Sequence, residues 1–523
     1  MSGEQMERER KYDGGRPLRR FEDLPGVARV VPGEPHDLDA VYYDTPDLRL
    51  LRRRITLRRR TGGKDAGWHL KLPRDGDTRE EIAEPLDAGA PGQVPSALTP
   101  RLAVFVRGGA LAPVAHLHTR RRRELLLDTA GTTLAEIAED RVTGQVFDRP
   151  RTPRGSGSAP GAGRAAGTPT QLTAWTETEV ELAEGGTALL DDVEAAFTAA
   201  GGSRSRYPSK LARALDETRQ QAPDRVPLRP GTPGAVVGAA LREQVGTLIA
   251  LDPRVRLDEP DAVHRMRVAA RRLRSLLKAH RRLFDRGRVE ELAAELRWLG
   301  RSLGLARDQE VLGEQLVAAV DELPPEVPRG DLRARLAARY ADRYREAWEH
   351  AVTDLTTPRY FALLDALEAF ADDPPLTGKG RGGDAAGQLS RALRREQRRT
   401  VERLDAALAT APGPERDGAL HHARKAAKRA RYTADSVRPV SAGRAERFSL
   451  RMKALQRALG DHQDTVIARG ALLDAGTGPS DGDAHAFAYG VLYGLRRDAA
   501  RAAEERLPDL YRRARGRKLT DLG

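Results

Sequence analysis

A histidine-led basic stripe occurs twice in this chain, in one order and at one spacing. His264, Arg267, Arg271 and Arg274 are matched 157 residues later by His421, Arg424, Lys428 and Arg431. At roughly 100° per residue, such offsets fall within about 80° of one helical face. A single stripe is an ordinary solvated helix surface. Two copies mean a duplicated helical unit that concentrates positive charge behind an imidazole. The duplication runs further, because Leu299, Arg301, Leu303, Gly304 and Asp308 match Leu455, Arg457, Leu459, Gly460 and Asp464 at an offset of 156. Residues 240–244 likewise resemble 392–397. The C-terminal part therefore reads as a tandem repeat of helices. Bands of cations this dense suit a polyanion.

With 523 residues the chain exceeds one core, and two to four domains are expected. Lys plus Arg is 89 against 76 Asp plus Glu, a net charge of +13, which favours anionic partners. Aromatic residues make up only 5%, too few for the stacking platforms of single-stranded nucleic-acid surfaces. Cysteine is absent, which excludes disulfides, thiol catalysis and cysteine-ligated zinc. The N-terminal residues are crowded with charge, and no run of about 18 apolar residues occurs. A soluble, cytoplasmic protein with no membrane partner is expected.

Residues 1–218 read mainly as strands, with period-two alternation at 55–60, 68–72, 116–128 and 175–182. Residues 149–171, rich in Gly, Pro, Ser and Ala, read as a mobile insertion between two strands. A proline-bearing linker is expected at 219–234, then a helical domain at 235–512 whose repeats divide near 372–387, and a basic tail at 513–523. The expected fold class is multidomain α+β, an antiparallel strand domain followed by an all-α duplicated one.

The first strand carries Glu7, Glu9 and Lys11 on one face, where a half-buried strand normally carries Val, Ile or Leu. A solvated edge strand would explain one such case. Glu177, Glu179 and Glu181 form a second acidic rung, however, and Arg58/Arg60, His69/Lys71 and Arg121/Arg123 form basic rungs with the same period. Clustered carboxylates repel one another unless a cation neutralises them. An all-oxygen set without cysteine suits Mg²⁺ or Mn²⁺, which bridge to phosphates. Arg and Lys opposite them offer contacts to phosphate oxygens. The same spacings also fit a set of surface salt bridges.

Glu7-x-Glu9-x-Lys11 resembles the ExExK signature of the CYTH family, the triphosphate tunnel metalloenzymes. Residues 42–47, 57–60, 68–73, 138–142, 177–182 and 207–210 resemble that family's later segments, in family order. The resemblance implies an eight-stranded antiparallel barrel whose tunnel binds triphosphate with a divalent metal. By matching position, Glu7, Glu9, Asp140, Glu177, Glu179 and Glu181 would hold Mg²⁺ or Mn²⁺. Lys11, Arg58, Arg60, Lys71, Arg121, Arg123 and Lys210 would grip phosphates, with Glu7, Glu9 and Lys11 at the catalytic centre. Adenylate cyclases, thiamine triphosphatases and RNA triphosphatases belong to the same family. No nucleoside pocket is legible here, so inorganic triphosphate is the expected substrate.

Val263-His264-Arg265-Met266-Arg267-Val268, the nearby residues 271–274, and Ala306-Arg307-Asp308 resemble the CHAD family of histidine-containing helical domains. That resemblance implies two pseudo-symmetric four-helix bundles around a basic cavity for long-chain inorganic polyphosphate. His264, Arg267, Arg271, Arg274, Arg301, Arg307, His421, Arg424, Lys428, Arg431 and Arg457 are the expected contacts. Apart from the adjacent His422, neither histidine has a second metal ligand at helical spacing, so a phosphate-contacting or helix-orienting role is favoured over metal. Asp308 and Asp464 suit orienting a stripe arginine. The reading is a metal-dependent triphosphatase fused to a polyphosphate-binding domain, resident at polyphosphate granules. Its rival is a non-catalytic polyphosphate-binding or granule-associated protein. A nucleic-acid partner rests on net charge alone and lacks a motif.

Overall fold

The computed structural model describes residues 3–14, 21–90, 92–147, 169–216, 228–477, 483–516 and 520–521. They form two compact units, Met1–Asp224 and Arg225–Gly523. Most of the expected insertion (149–168), much of the linker (219–227) and part of the tail (517–519, 522–523) lie outside the described residues. Pro169–Leu182 is one strand, so the last residues of the expected insertion, 169–171, belong to it.

In the first unit the elements are β1 (Gly3–Asp13), β2 (Arg29–Pro32), β3 (His36–Asp44), β4 (Thr56–Thr61), β5 (Gly67–Pro73), β6 (Thr78–Glu84), α1 (Thr99–Val106), β7 (Ala112–Leu127), β8 (Thr133–Phe147), β9 (Pro169–Leu182), α2 (Thr187–Ala199), β10 (Ser203–Arg204) and α3 (Lys210–Ala214). The strands run β1-β6-β5-β4-β3-β7-β8-β9, and β9 pairs antiparallel with β1. This closes an antiparallel barrel of eight strands, while β2 extends β7 and β10 extends β1. Closure pairs β1 on both sides, with β6 and β9, so its charges are not those of a solvated sheet edge. The charges of β1 are therefore free to face inward.

The apolar residues sit on the outside of the barrel wall, under helices. Tyr12, Ile137 and Val180 pack against Leu190, Val193 and Phe197 of α2, with the Tyr12 and Phe197 rings stacked at 4.4 Å. Leu57, Leu70 and Ile82 pack under Leu102 of α1. Alternation in each strand then sends the intervening side chains inward. One region of the interior is itself apolar, where Ala40, Tyr42, Leu117 and Val142 meet Leu211 and Ala212 of α3. The rest is charged.

Asp44, at the end of β3, is fully buried. It accepts hydrogen bonds from the backbone N–H groups of Thr45, Leu50 and Leu51 at 2.7, 3.0 and 2.9 Å. The end of the Tyr-Tyr-Asp-Thr-Pro segment is thus a turn organised by the Asp44 carboxylate, which fixes the approach to β4.

The second unit contains α4 (Pro233–Arg256), α5 (Ala262–Ala279), α6 (Arg286–Asp321), α7 (Leu332–Asp354), α8 (Pro358–Asp372), α9 (Gly378–Arg381), α10 (Ala385–Ala409), α11 (Pro414–Ser436), α12 (Ala442–Gly476), α13 (Asp483–Glu505) and α14 (Leu507–Ala514). The repeats map α4–α7 onto α10–α13, and the long helices α6 and α12 have 36 and 35 residues. Both first helices start at a side-chain cap. Thr232 accepts from Ala235 N at 3.3 Å, and Asp384 accepts from Gly387 N at 2.7 Å. Helical structure thus begins at Pro233, inside the stretch expected to be linker.

The repeats are not two walled-off bundles. Leu316, Leu332 and Leu336 from the first share one core with Leu472, Ala488 and Leu492 from the second. In addition, α5 packs on α11, which brings the stripe helices side by side. By length and composition α4 is apolar enough to cross a membrane, although it contains no uninterrupted apolar run of that length. Its Leu241, Leu248 and Leu251 are buried in the unit's interior, and it packs on α5 and α8. Core packing accounts for its composition.

Candidate functional site

Strand register assembles the charged interior of the barrel. Glu9 stands opposite Glu181, Lys11 opposite Glu179, and Glu7 opposite Arg79. Asp140 pairs with Arg121 on one side and Glu177 on the other. Arg58 pairs with His69, and Lys71 with Glu81. The free space among Glu9, Lys11, Arg58, Lys71, Arg121, Glu179 and their neighbours is about 50 Å³. A wider basin of about 470 Å³ shares Glu9, Lys11 and Arg79 with it and adds Arg54, Arg74, Arg204 and Arg206.

Lys210 reaches this interior through a local device. Ser209 caps α3 by accepting from Ala212 N at 3.1 Å, which makes Lys210 the first helical residue. Its ammonium lies 2.8 Å from Asp140, 3.0 Å from Glu177 and 2.5 Å from Glu179. Arg121 clasps Asp140 through two bonds of 2.8 and 2.7 Å and also reaches Glu179. Lys11 bonds Glu179 as well. Trp175 donates to the far oxygen of Glu177 at 2.6 Å.

Two acidic groups result. In one, carboxylate oxygens of Asp140, Glu177 and Glu179 lie within 4.8 Å of one another. Burial would raise Glu179, but Lys11, Lys210 and Arg121 outweigh it and hold the group well below the carboxylate range. The other group centres on Glu7, which burial and a hydrogen bond shared with Glu81 push up to about 8 despite the neighbouring Lys71. Burial likewise raises Glu181. Against burial, Lys11, Lys71 and Arg79 bring Glu9 down to about 2. Carboxylates held ionised by cations, Glu179 and Glu9, thus stand beside carboxyls that resist ionisation, Glu7 and Glu181, the response expected of crowded acids short of cations.

The basic side has spare donors. Arg58 Nε and Arg60 Nε are buried with no hydrogen-bond partner. Arg123 departs from its expected place. It is bound to Glu136, with Nε at 2.6 Å from the carboxylate, and does not line the interior space. Arg79 and Glu81 were missed by sequence reasoning. They alternate on β6, but in Thr-Arg-Glu-Glu-Ile the outward Glu80 breaks the visible rung; the pairing of β6 with β1 and β5 is the signal that exposes it.

In the helical unit the stripes converge. His264 is lowered by burial and then by Arg307, Arg271 and, from the other repeat, Lys428. Burial, then Lys425 and Arg424, bring His421 down to about 4. Both histidines are neutral donors at neutral pH. Lys428 falls to about 6 through burial and four arginines, Arg271 and Arg424 foremost. Arg271, Arg307, Arg424 and Arg431 each bury an Nε without an acceptor, and His421 buries an unpartnered Nδ1.

The Leu-Gly motif now has a cause. A Cβ at Gly304 would lie 3.4 Å from the Arg267 guanidinium, and one at Gly460 would lie 3.4 Å from that of Arg424. Glycine lets equivalent arginines lie against α6 and α12. Asp308 orients Arg267 at 3.0 Å, and Asp464 feels Arg424 most strongly among the cations. Arg274 belongs to the same field, lowered by burial and by Arg297 and Arg271. Arg301 is exposed, and Arg457 lines an outer depression with Lys453 and Arg506. The structure does not bring either of them to the stripes.

Comparison with known proteins agrees with both halves. A CYTH domain model matches residues 7–215, and a CHAD domain model matches residues 239–473. Two proteins of Mycobacterium tuberculosis, Uncharacterized protein MT2285 (strain CDC 1551 / Oshkosh) and Uncharacterized protein Rv2226 (strain ATCC 25618 / H37Rv), are each 38% identical over 514 residues, covering 97% of this chain and 96% of theirs. PptA from Streptomyces chartreusis is similar at 23% identity, with a TM-score of 0.46, over 53% of this chain and 99% of that one. The CHAD domain from the plant Ricinus communis is similar at 24% identity, with a TM-score of 0.42, over 54% and 95%. With a closed strand barrel of charged interior followed by a duplicated helical unit, the chain belongs to the proteins that join a CYTH domain to a CHAD domain.

Proposed function

We propose that the barrel hydrolyses inorganic triphosphate with a divalent metal, and that the helical unit binds inorganic polyphosphate. The observation that supports the first half is the closed interior in which ionised carboxylates and buried cations without full partners face each other. The donor set of Asp140, Glu177 and Glu179, all oxygen and mutually close, fits a hard cation such as Mg²⁺ or Mn²⁺. Glu7 and Glu9 on the neighbouring strand β1, and Glu181 further along β9, are further candidates. A bound divalent ion supplies neutralisation of phosphate oxygens and a water of lowered pKa.

The chain's own residues do the rest. Lys210, Arg121, Lys11 and Lys71 exchange carboxylate partners for phosphate oxygens when substrate enters, which frees Asp140, Glu179 and Glu7 to hold metal. Such an exchange is required, since about 50 Å³ does not admit a triphosphate while those pairs persist. Arg58 and Arg60 bring unsatisfied N–H donors to the leaving diphosphate, stabilising its growing charge while water takes the terminal phosphoryl group. Tyr42 is the aromatic residue in the lining, which offers no sandwich for a nucleobase. Orthophosphate release should therefore be faster from tripolyphosphate than from ATP at equal concentration. Equal or faster release from ATP would point to a nucleotide substrate.

The second half rests on the cations that converge from α5 and α11 with buried, unaccepted donors. It carries a pH signature. Lys428 is mostly neutral at pH 7, its value being about 6 against an ordinary 10.5. A polyanion restores its charge, so binding takes up a proton. Calorimetry at pH 7–8 in buffers of different ionisation enthalpy should show uptake approaching one proton, absent in Lys428→Met. Without ligand the sign is opposite. The unfolded chain binds the extra proton between about pH 6 and 10.5, so this group's contribution to stability rises with pH across that window.

A further inference from the structure

Duplication provides an internal control. Each repeat forms a cavity beyond the end of its stripe, and the two correspond on the stripe helices and on α10 and α4, whereas the α6 residues of the first have no counterpart lining the second: Lys453, the mate of Arg297, lies outside it. The first, about 560 Å³, lies among α5, the start of α6 and α10; the second, about 460 Å³, lies among α11, α4 and α5. Glu396 and Arg429 in the first match Glu243 and Arg272 in the second. The charge differs sharply between them. Lys278 continues the first stripe at the helical spacing, whereas its counterpart is Asp435; Arg282 is replaced by Pro439, and Arg399 by Gly246. The mate of Arg281 is Arg438.

In the first cavity Lys278, Arg281, Arg282, Arg297 and Arg399 converge, and among the described residues none of their side chains is ion-paired. Among those residues the only carboxylates lining it are Glu396, taken by Arg429 at 2.5 Å, and Glu290, taken by Arg286 at 2.8 Å. In the second cavity the carboxylates Glu243 and Asp435 face Arg272 and Arg438, and no excess remains. The first cavity is electrostatically continuous with the stripe. Lys278 is lowered by burial and then by Arg297, Arg274 and Arg429. A concave site that keeps five cations unneutralised holds a standing potential for anions.

We infer that this cavity is a phosphate-binding extension of the polyanion track, so that a bound polyphosphate runs off the paired stripes on this side and not on the other. The inference rests on the polyphosphate reading of the stripes. From His264 to Lys278 the helix rises about 21 Å, so only a chain much longer than triphosphate spans stripe and cavity together. The track is therefore one-ended, although the fold that carries it is pseudo-symmetric.

The matched pair Arg281→Glu and Arg438→Glu tests it in the full chain, with binding of long-chain polyphosphate measured in EDTA over a range of salt. Arg281→Glu, alone and with Arg399→Glu, should weaken binding by about tenfold or more and flatten its salt dependence, because fewer counterions are released. Arg438→Glu, the same change at the equivalent place, should stay within about twofold of wild type. Arg399→Gln should give an intermediate loss, and thermal melts check that each variant folds. Equal losses in Arg281→Glu and Arg438→Glu, or none in either, overturn the one-ended track. Arg271→Glu separates the two levels of the account. If it abolishes binding while the cavity variants do not, only the extension fails. If it too binds like wild type, the polyphosphate reading of the stripes fails.

Discussion

Glu179→Gln should lower turnover of tripolyphosphate by at least about a hundredfold, the scale on which loss of one charged group at a phosphoryl centre is felt. Glu179 touches three cations of the barrel interior, Lys11, Lys210 and Arg121. Those three cations keep it ionised against its burial. Glutamine preserves the shape and removes the charge, so a metal loses a ligand and the cations lose their counter-charge. Removing one partner from a buried ionic group costs stability as well, on the order of 3–5 kcal/mol. A melting curve must therefore accompany the rate. Glu9→Gln removes a carboxylate that is exposed to fewer partners, Lys11 at 3.4 Å and Arg79 at 3.3 Å, and should lose activity with a smaller loss of stability. Full activity in a folded Glu9→Gln enzyme would remove the β1 rung from the mechanism.

Arg271→Glu together with Lys428→Glu should abolish long-chain polyphosphate binding, a loss of at least about a thousandfold. The two residues come from different repeats yet lie in one field, since Arg271 is the strongest charged influence on Lys428. Reversing both replaces two attractive contacts by two repulsive ones at the centre of the track. Neither residue has an ion-pair partner among the described residues, so the substitutions break no internal bridge. By relieving repulsion among the arginines they should, if anything, raise the melting temperature. Loss of binding with unchanged or increased stability separates a binding role from a structural one. Wild-type affinity in the double variant would reduce the stripes to solvated helix faces.

Features with a short period were legible in the sequence. The rungs of Glu7, Glu9 and Lys11 and of Glu177, Glu179 and Glu181 repeat every second residue, and the stripes repeat every third or fourth, so each announces its own face. What depends on a partner strand or helix was hidden. Glu81 and Arg79 matter because of what β6 pairs with, and Arg123 is claimed by Glu136, thirteen residues away across the β7–β8 hairpin. Arg457 matched Arg301 in the repeat, but duplication preserves sequence position, not ligand contact, and both side chains are exposed away from the stripes. Buried His462, between Asp417 at 3.3 Å and Glu504 at 3.1 Å, was also missed. Its partners come from α11 and α13, and Arg416 and Arg469 complete the network. The shared core of α6, α7, α12 and α13 is likewise invisible to a repeat search, which assigns each helix to its own copy.

In the proposed function, carboxylates in the barrel hold a metal that acts on triphosphate. Orthophosphate release from tripolyphosphate by the full-length wild-type chain, with Mg²⁺ or Mn²⁺ and again after EDTA, tests it most directly. Steady release is expected with either or both ions, with complete arrest by EDTA and recovery when excess metal is restored. No release with any divalent ion, or release that EDTA leaves untouched, would contradict it.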